Sequence, residues 1–197
     1  MIHKLKPLKV QQTLREKEIR LFSPEEFRRV FSVNDWAAKT FIKNHTQDLF
    51  MKLRNGLYAM KLDPAGEMEI ANRLYCPSYI SFEFALSRYR IIPESVYSIT
   101  SASVRTTQEF TVRGKCYEYN RIKNEAYRGY RAEKERGTTV LIAEPEKALV
   151  DYLYFVDLKL KKLNERLNLR KIKRTAVLRY ARLFNRISLT KLVKSIL

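Results

Sequence analysis

Two short helices in tandem are encoded by SPEEFRRVFSVNDWAAKTFIKN, residues 23–44. Ser23 can cap the first helix, Pro24 suits its first turn, and Glu26 completes a capping box. An apolar stripe with helical spacing follows, formed by Phe27, Val30 and Phe31. These signals predict a short helix that buries one face.

The second helix of this stretch is expected to begin after Ser32, which can act as its cap. Its apolar face is formed by Ala38, Phe41 and Ile42, with Trp36 and Ala37 beside them. Another face carries polar and charged side chains, namely Asn34, Asp35, Lys39 and Lys43. The helical spacing of Val10, Leu14 and Leu21 predicts one further helix upstream.

A β-hairpin is predicted where LFMKLRNGLYAMKL, residues 49–62, follows the helices. Asn55-Gly56 between apolar runs is a strong hairpin signal, because both turn positions must tolerate positive φ. Lys52 and Arg54 lie near the predicted tip. Three helices followed by a hairpin predict a winged helix-turn-helix domain over residues 1–62.

The charge of this segment indicates an anionic partner. Residues 1–62 carry 13 Lys and Arg against 6 Asp and Glu, within a chain of 197 residues and net charge +18. Double-stranded DNA is the expected ligand, with Asn34 as the candidate for base contacts. The candidates for phosphate or groove contacts are Lys39, Lys43, Lys52 and Arg54. Two alternatives remain open: Asp35 and Lys39 can form an ordinary surface pair, and a winged helix can also dock a protein.

The middle of the chain, residues 63–157, is almost neutral, with 13 basic and 14 acidic side chains. Two helices broken near Pro77 are predicted within residues 67–87. Strands are predicted at 96–105, 108–112, 116–122 and 138–143, and Pro145 opens a helix with an apolar stripe. The sequence therefore predicts an α+β protein, with a mixed α/β domain over residues 63–197 following the first domain.

Five motifs together resemble the AbiEi-type antitoxins. They are RNGLYAM (54–60), LYCPSYISFEFAL (74–86), ITSASVRTTQEF (99–110), GKCYEYNRIK (114–123) and LIAEPEKALVDYLY (141–154). Their order and spacing extend the resemblance over roughly residues 20–160. One departure is Glu144 before the Pro145 helix start, where a shorter capping side chain would be the better choice.

The resemblance implies an antitoxin of a type IV toxin–antitoxin system, the abortive-infection kind. It implies that a winged helix represses the protein's own operon by binding upstream inverted repeats, as a cooperative pair of molecules. It also implies a nucleotidyltransferase-like toxin as the functional partner, counteracted without a stable complex. Mapped onto this chain, the DNA-binding elements are the helix at 34–43 and the hairpin at 49–60.

The last 40 residues are strongly basic, since residues 158–197 carry 13 Lys and Arg and only Glu165 as an acid. Three short helices are predicted, with stripes at Leu160, Leu163 and Leu167, at Val177, Tyr180, Ala181 and Phe184, and at Leu189, Leu192, Val193 and Ile196. Arg179, Arg182 and Arg186 recur opposite the second stripe, which predicts a non-specific phosphate contact. RNA, an acidic protein or plain solvent are the alternatives for this surface.

Catalytic chemistry finds little support in the sequence, and we expect a protein that is not an enzyme. His3, His45, Cys76 and Cys116 lack the spacing of a zinc site, the two thiols are expected to be buried, and no cofactor is predicted. A carboxylate nuclease is the remaining enzymatic alternative, with Glu144, Glu146, Asp151 and Asp157 as its candidates. Neutralisation of the toxin by direct contact is the other alternative. The basic start lacks the apolar run of a secretion signal, and a cytoplasmic protein without a membrane span is expected.

Overall fold

The protein has a mixed α+β fold, which confirms the predicted fold class. The structure is a computed structural model that describes residues 5–197. Within that range it contains eight α-helices and two β-sheets. The chain divides into two compact units, Met1–Leu74 and Tyr75–Leu197, which we call the first and second units. None of the helices described for residues 5–197 has both the length and the apolar character needed to cross a bilayer.

The first unit combines helices with a three-stranded antiparallel sheet. Its elements are α1 (Pro7–Glu16), β1 (Leu21–Phe22), α2 (Pro24–Phe31), α3 (Asp35–Asn44), β2 (Phe50–Arg54), β3 (Leu57–Met60) and α4 (Glu67–Leu74). The strand order is β1-β3-β2. The helices and the sheet share one apolar core, in which Phe22, Phe27 and Phe50 are fully buried.

The start of α2 is confirmed in detail. The backbone N–H of Glu26 donates to the Ser23 hydroxyl, and the backbone N–H of Ser23 donates to the Glu26 carboxylate. Although burial disfavours the charge of Glu26, hydrogen bonds from Arg73 and Ser23 lower its pKa. The Arg73 contact also attaches α4 to the beginning of α2.

Two predicted details of the first unit are wrong. Ser32 does not cap α3; it ends α2 in a left-handed conformation, with a φ of +50°. Leu21 does not extend α1, because α1 ends at Glu16 and Leu21 pairs with Ala59 as a strand residue. Leu21 is buried by sheet packing, so its helical spacing from Leu14 is coincidental.

The β2–β3 hairpin turns at Asn55-Gly56, as predicted, but of the two turn residues Gly56 has a positive φ and Asn55 does not. Gly56 has a φ of +75°, the conformation that glycine adopts without a steric penalty. Arg54 pairs with Leu57 across the turn, and the register shifts between Lys52 and Arg54. The hairpin tip therefore carries the two basic side chains that the sequence indicated.

The second unit is built around a six-stranded mixed sheet. Its elements are β4 (Ser78–Ile80), α5 (Phe82–Arg88), β5 (Ile99–Ser103), β6 (Gln108–Val112), β7 (Lys115–Arg121), a 3-10 turn (Asn124–Ala126), β8 (Tyr130–Glu135), β9 (Thr138–Ala143), α6 (Pro145–Asp157), α7 (Arg174–Arg182) and α8 (Ile187–Ile196). The strand order is β6-β7-β5-β4-β9-β8. Helix α6 packs against α5, α7 and α8.

Several sequence-based predictions for the second unit need correction. β4 lies where a helix break was expected, and β8 was not predicted at all. The helix expected around Leu160, Leu163 and Leu167 is absent, because the described residues 158–173 are irregular and Leu160 is 66% exposed. Neither cysteine is buried, since Cys76 is exposed and Cys116 is half-buried. The stripes predicted around residues 177–184 and 189–196 do form α7 and α8.

A buried ion pair lies in the core of the second unit. Lys147 and Asp151 are one turn apart on α6, form a hydrogen-bonded salt bridge, and are both inaccessible to solvent. The other carboxylate oxygen of Asp151 accepts hydrogen bonds from the Tyr79 hydroxyl at 3.0 Å and the Ser81 hydroxyl at 2.7 Å. The ammonium group lies 5.1 Å from the centre of the Phe184 ring. This network joins α6, β4 and the start of α5.

Candidate nucleic-acid interface

Helix α3 presents its predicted lysines to solvent. Ala38, Phe41 and Ile42 are buried in the core of the first unit, which fixes the rotation of the helix. Lys39 and Lys43 are exposed on the side away from that core. They are one turn apart on α3, so both can contact the same stretch of a polyanion.

Asn34 is the N-cap of α3, a role that the sequence assigned to Ser32. Its side-chain oxygen Oδ1 accepts a hydrogen bond of 2.8 Å from the backbone N–H of Ala37. Asn34 remains exposed, but its acceptor oxygen is engaged within the protein. Asparagine contacts adenine with its side-chain oxygen and its amide nitrogen together. The hydrogen bond of the helix cap therefore competes with an adenine contact for the same oxygen, Oδ1.

We expect that Asn34→Ala lowers the free energy of unfolding of the first unit by about 1 kcal/mol, because a cap hydrogen bond is lost. Asn34→Ser restores the cap and should recover most of that loss. Hydrogen exchange of the backbone amides of the first unit measures the change, because it reports on the opening of that unit separately. Equal stability of Asn34→Ala and the unmodified protein would show that the cap is dispensable.

The first turn of α3 also carries a negative charge. Lys39 forms a salt bridge of 2.6 Å with Asp35, and both side chains are more than half exposed. An exposed pair of this kind contributes little to stability. Asp35 therefore offsets part of the positive charge of Lys39, whereas the ammonium of Lys43 has no salt-bridge partner within residues 5–197.

The hairpin supplies a further exposed cation on the α3 side of the sheet. Lys52 lies two residues after Phe50 on β2, and residues with this spacing share one face of a strand. The Phe50 ring packs against Phe41 of α3, with 6.3 Å between ring centres. The structure thus places Lys52, which is exposed, on the same side of the sheet as α3.

Arg54 is held within the first unit. Its Nε donates to the backbone carbonyl of Leu74, the last residue of α4, at 2.7 Å, and its Nη1 donates to the carbonyl of Asn55 at 2.8 Å. An arginine with two donors occupied anchors the hairpin to α4. Only part of the Arg54 guanidinium is left to contact a ligand.

The three C-terminal arginines do not form one helical face, in contrast to the prediction. Arg179 and Arg182 belong to α7, but Arg186 is the N-cap of α8 and follows Asn185, whose φ is +45°. Arg186 donates to Asp157, which is nearly buried. Arg179 lies over the ring of Tyr180, 5.0 Å from its centre.

Arg182 and Arg186 are expected to respond differently to substitution. Arg182 is exposed with no salt bridge in the described part of the chain, so Arg182→Ala should flatten the slope of log K against log[salt] by up to about 0.9. Arg186→Ala should instead lower the free energy of unfolding by about 1–3 kcal/mol, because the nearly buried Asp157 carboxylate loses its arginine partner and keeps only the hydrogen bond from the Ser188 hydroxyl. DNA titrations and urea unfolding separate the two effects. A reversed pattern would refute this division between a DNA contact and a structural contact.

The carboxylates named for a nuclease have local partners. Glu144 accepts from Tyr180, Glu146 from the backbone of Lys173, Asp151 from Lys147, and Asp157 from Arg186 and Ser188. Within residues 5–197, no group of three or more His, Cys, Asp or Glu side chains is arranged to hold a metal ion. His45 ends α3 and contacts Asp48, with 2.8 Å between Nδ1 and Oδ2, and His3 lies outside the described residues.

No model of a protein family matches this chain. No curated protein matches it either. The similarity to AbiEi-type antitoxins therefore consists of the five sequence motifs alone.

Proposed function

We propose that the first unit is a winged helix-turn-helix that binds double-stranded DNA through α3 and the β2–β3 hairpin. The element order α1-β1-α2-α3-β2-β3 and the antiparallel sheet are those that a winged helix requires. The observation that carries the proposal is the rotation of α3, which buries Phe41 and Ile42 and leaves Lys39 and Lys43 exposed. In this assignment α3 is the recognition helix and the hairpin is the wing.

The proposed contacts divide by chemistry. Lys43 and Lys52, two exposed cations without a salt bridge among the described residues, bind phosphates and give affinity for any sequence. Arg54 contributes less, because two of its donors hold the hairpin in place. Arg182 of the second unit provides a further phosphate contact, with Arg179 beside it on the same helix.

We propose further that the chain acts in the cytoplasm as the antitoxin of a type IV toxin–antitoxin system and represses its own operon. Four of the five motifs that resemble AbiEi-type antitoxins lie in the second unit. They contribute the strands β7, β5, β4 and β9, which are consecutive neighbours in the sheet. Residues distant in sequence thus form one continuous block, as expected for motifs that belong to a single domain.

In this proposal the two activities belong to different parts of the molecule. Two molecules bind upstream inverted repeats cooperatively and limit transcription of the operon. The second unit counteracts a nucleotidyltransferase-like toxin encoded beside it, without forming a stable complex. Loss of DNA binding should therefore leave the antitoxin activity intact.

Growth assays test this division. The neighbouring gene is expressed alone, with the unmodified chain, or with the Lys43→Ala/Lys52→Ala variant. We expect the neighbouring product alone to arrest growth and both forms of the chain to restore it, while only the unmodified chain represses a reporter fused to the upstream region. Absence of any rescue would refute the antitoxin proposal. A stoichiometric complex on co-purification would favour neutralisation by direct contact.

A further inference from the structure

A large apolar side chain is exposed to solvent at the beginning of α3. Trp36 is 75% exposed, although tryptophan has one of the largest apolar surfaces of any residue. It is the only tryptophan in the chain. Tryptophan is enriched at binding interfaces relative to the rest of the protein surface.

Trp36 lies on the side of α3 opposite to the core, and not beside the apolar face as the sequence pattern predicted. Successive residues of an α-helix are rotated by about 100°, so Lys43, seven residues later, lies within about 20° of Trp36. Thr40 lies about 40° away on the other side. The buried residues Ala38 and Ile42 occupy the opposite side of the helix. Trp36, the half-buried Thr40 and Lys43 therefore form one stripe on the solvent side of the helix, which we call the α3 stripe.

The chemistry of the α3 stripe fits a duplex groove. Lys43 within the stripe and Lys39 beside it supply positive charge, so an anionic partner is favoured over an apolar or basic one. Recognition helices contact base edges with residues of their N-terminal part, where Trp36 lies. The only apolar group on a base edge in the major groove is the C5-methyl of thymine. Asn34, the other candidate at this end, has its acceptor oxygen engaged in the helix cap.

We propose that Trp36 determines sequence specificity by contacting thymine methyl groups in the major groove. This inference rests on the proposed function of the first unit as a DNA-binding domain. The indole covers the methyl group and excludes water from it, while Lys43 holds the adjacent phosphate. Base preference at that position is then set by an apolar contact, without a hydrogen bond from Asn34.

The test starts from a pool of randomised 20-base-pair duplexes, from which the full chain selects its preferred sequence. Each thymine of that duplex is then replaced by uracil, which removes only the methyl group. At the contacted position we expect uracil to weaken binding about fourfold, the effect of exposing one methyl group. Trp36→Ala should bind the thymine duplex more weakly and lose its sensitivity to uracil. Trp36→Phe should keep part of that sensitivity.

Fluorescence provides a second readout that needs no variant. Because Trp36 is the sole tryptophan, the emission of the protein reports on this one side chain. Binding of the selected duplex should shield it from acrylamide quenching. Unchanged quenching in the complex would overturn the inference, since a contacting indole cannot remain open to the quencher.

The outcomes separate the inference from the proposed function. If no sequence is enriched from the pool, specific DNA recognition by the first unit is refuted. If a sequence is enriched and uracil acts equally on the unmodified chain and on Trp36→Ala, the role of Trp36 is refuted while the DNA-binding domain stands. If Trp36→Ala keeps full DNA affinity and loses the growth rescue, Trp36 faces a protein and the inference is likewise refuted.

Discussion

Asp151→Ala should lower the free energy of unfolding of the second unit by about 3–5 kcal/mol, the largest effect expected for a single substitution in this chain. The substitution leaves the ammonium of Lys147 in the core without a counter-charge. It also removes the acceptor for the hydroxyl groups of Tyr79 and Ser81. Burial already lowers the pKa of Lys147, and only Asp151 opposes that shift. Urea unfolding followed by far-ultraviolet circular dichroism measures the change. Tryptophan fluorescence would not report on this unit, because Trp36 lies in the first unit.

The matched control removes both charges together. Lys147→Met with Asp151→Leu replaces the ion pair by apolar side chains of similar size. We expect it to recover the part of the loss that comes from the unpaired charge, while the hydroxyls of Tyr79 and Ser81 still lack their acceptor. Tyr79→Phe deletes one hydrogen bond to the carboxylate and should cost only about 1 kcal/mol. A loss below about 1 kcal/mol for Asp151→Ala would contradict the view that this pair is fully desolvated.

Lys43→Ala with Lys52→Ala should weaken DNA binding about 60-fold at 0.1 M salt. Each lysine that neutralises a phosphate releases about 0.9 of a counterion, which corresponds to roughly eightfold in affinity at that salt concentration. The same variant should flatten the slope of log K against log[salt] by about 1.8. Loss of affinity should be similar on any DNA sequence, because phosphates carry no base identity.

A control with the same change of charge comes from the second unit. Lys134 and Arg136 are exposed at the β8–β9 hairpin, and neither is assigned a DNA contact. Lys134→Ala with Arg136→Ala should change the affinity and the salt slope much less. If both double variants reduce binding equally, net charge alone governs affinity, and the assignment of α3 and the hairpin as the interface is wrong.

Local signals in the sequence were sufficient to predict much of the secondary structure of the first unit. The Ser23–Glu26 capping box and the Asn55-Gly56 turn involve residues close together in the chain, and both form as predicted. The start of α6 at Pro145 was likewise predicted from a local signal, since proline favours the first turn of a helix. Elements whose determinants lie within one turn or one hairpin could therefore be derived without knowledge of the tertiary structure.

Features that depend on distant partners could not be derived in this way. β4 has only three residues, and it is a strand because β5 and β9 pair with it on either side. β8, YRAEKE, is an edge strand whose charged residues hide the alternating pattern of a typical strand. The Lys147–Asp151 pair resembled an ordinary exposed i, i+4 pair, and only the surrounding elements bury it.

Part of the candidate interface was likewise visible in the sequence, and part was not. The exposure of Lys39 and Lys43 follows from the buried stripe of α3 and was expected. The cap formed by Asn34 was missed because Ser32 offered an equally good capping side chain two residues earlier. Arg186 falls outside the predicted arginine face because α7 ends at Arg182 and the chain then turns at Asn185, with a left-handed backbone that periodicity does not reveal.

Binding of the unmodified chain to its own upstream DNA tests the central proposal most directly. A duplex carrying the upstream inverted repeat is titrated beside a shuffled duplex of equal length, at about 50 and about 200 mM salt. We expect the upstream duplex to bind at least about a thousandfold more tightly, and both affinities to fall as salt increases. Equal affinity for the two duplexes at both salt concentrations would contradict a sequence-specific repressor.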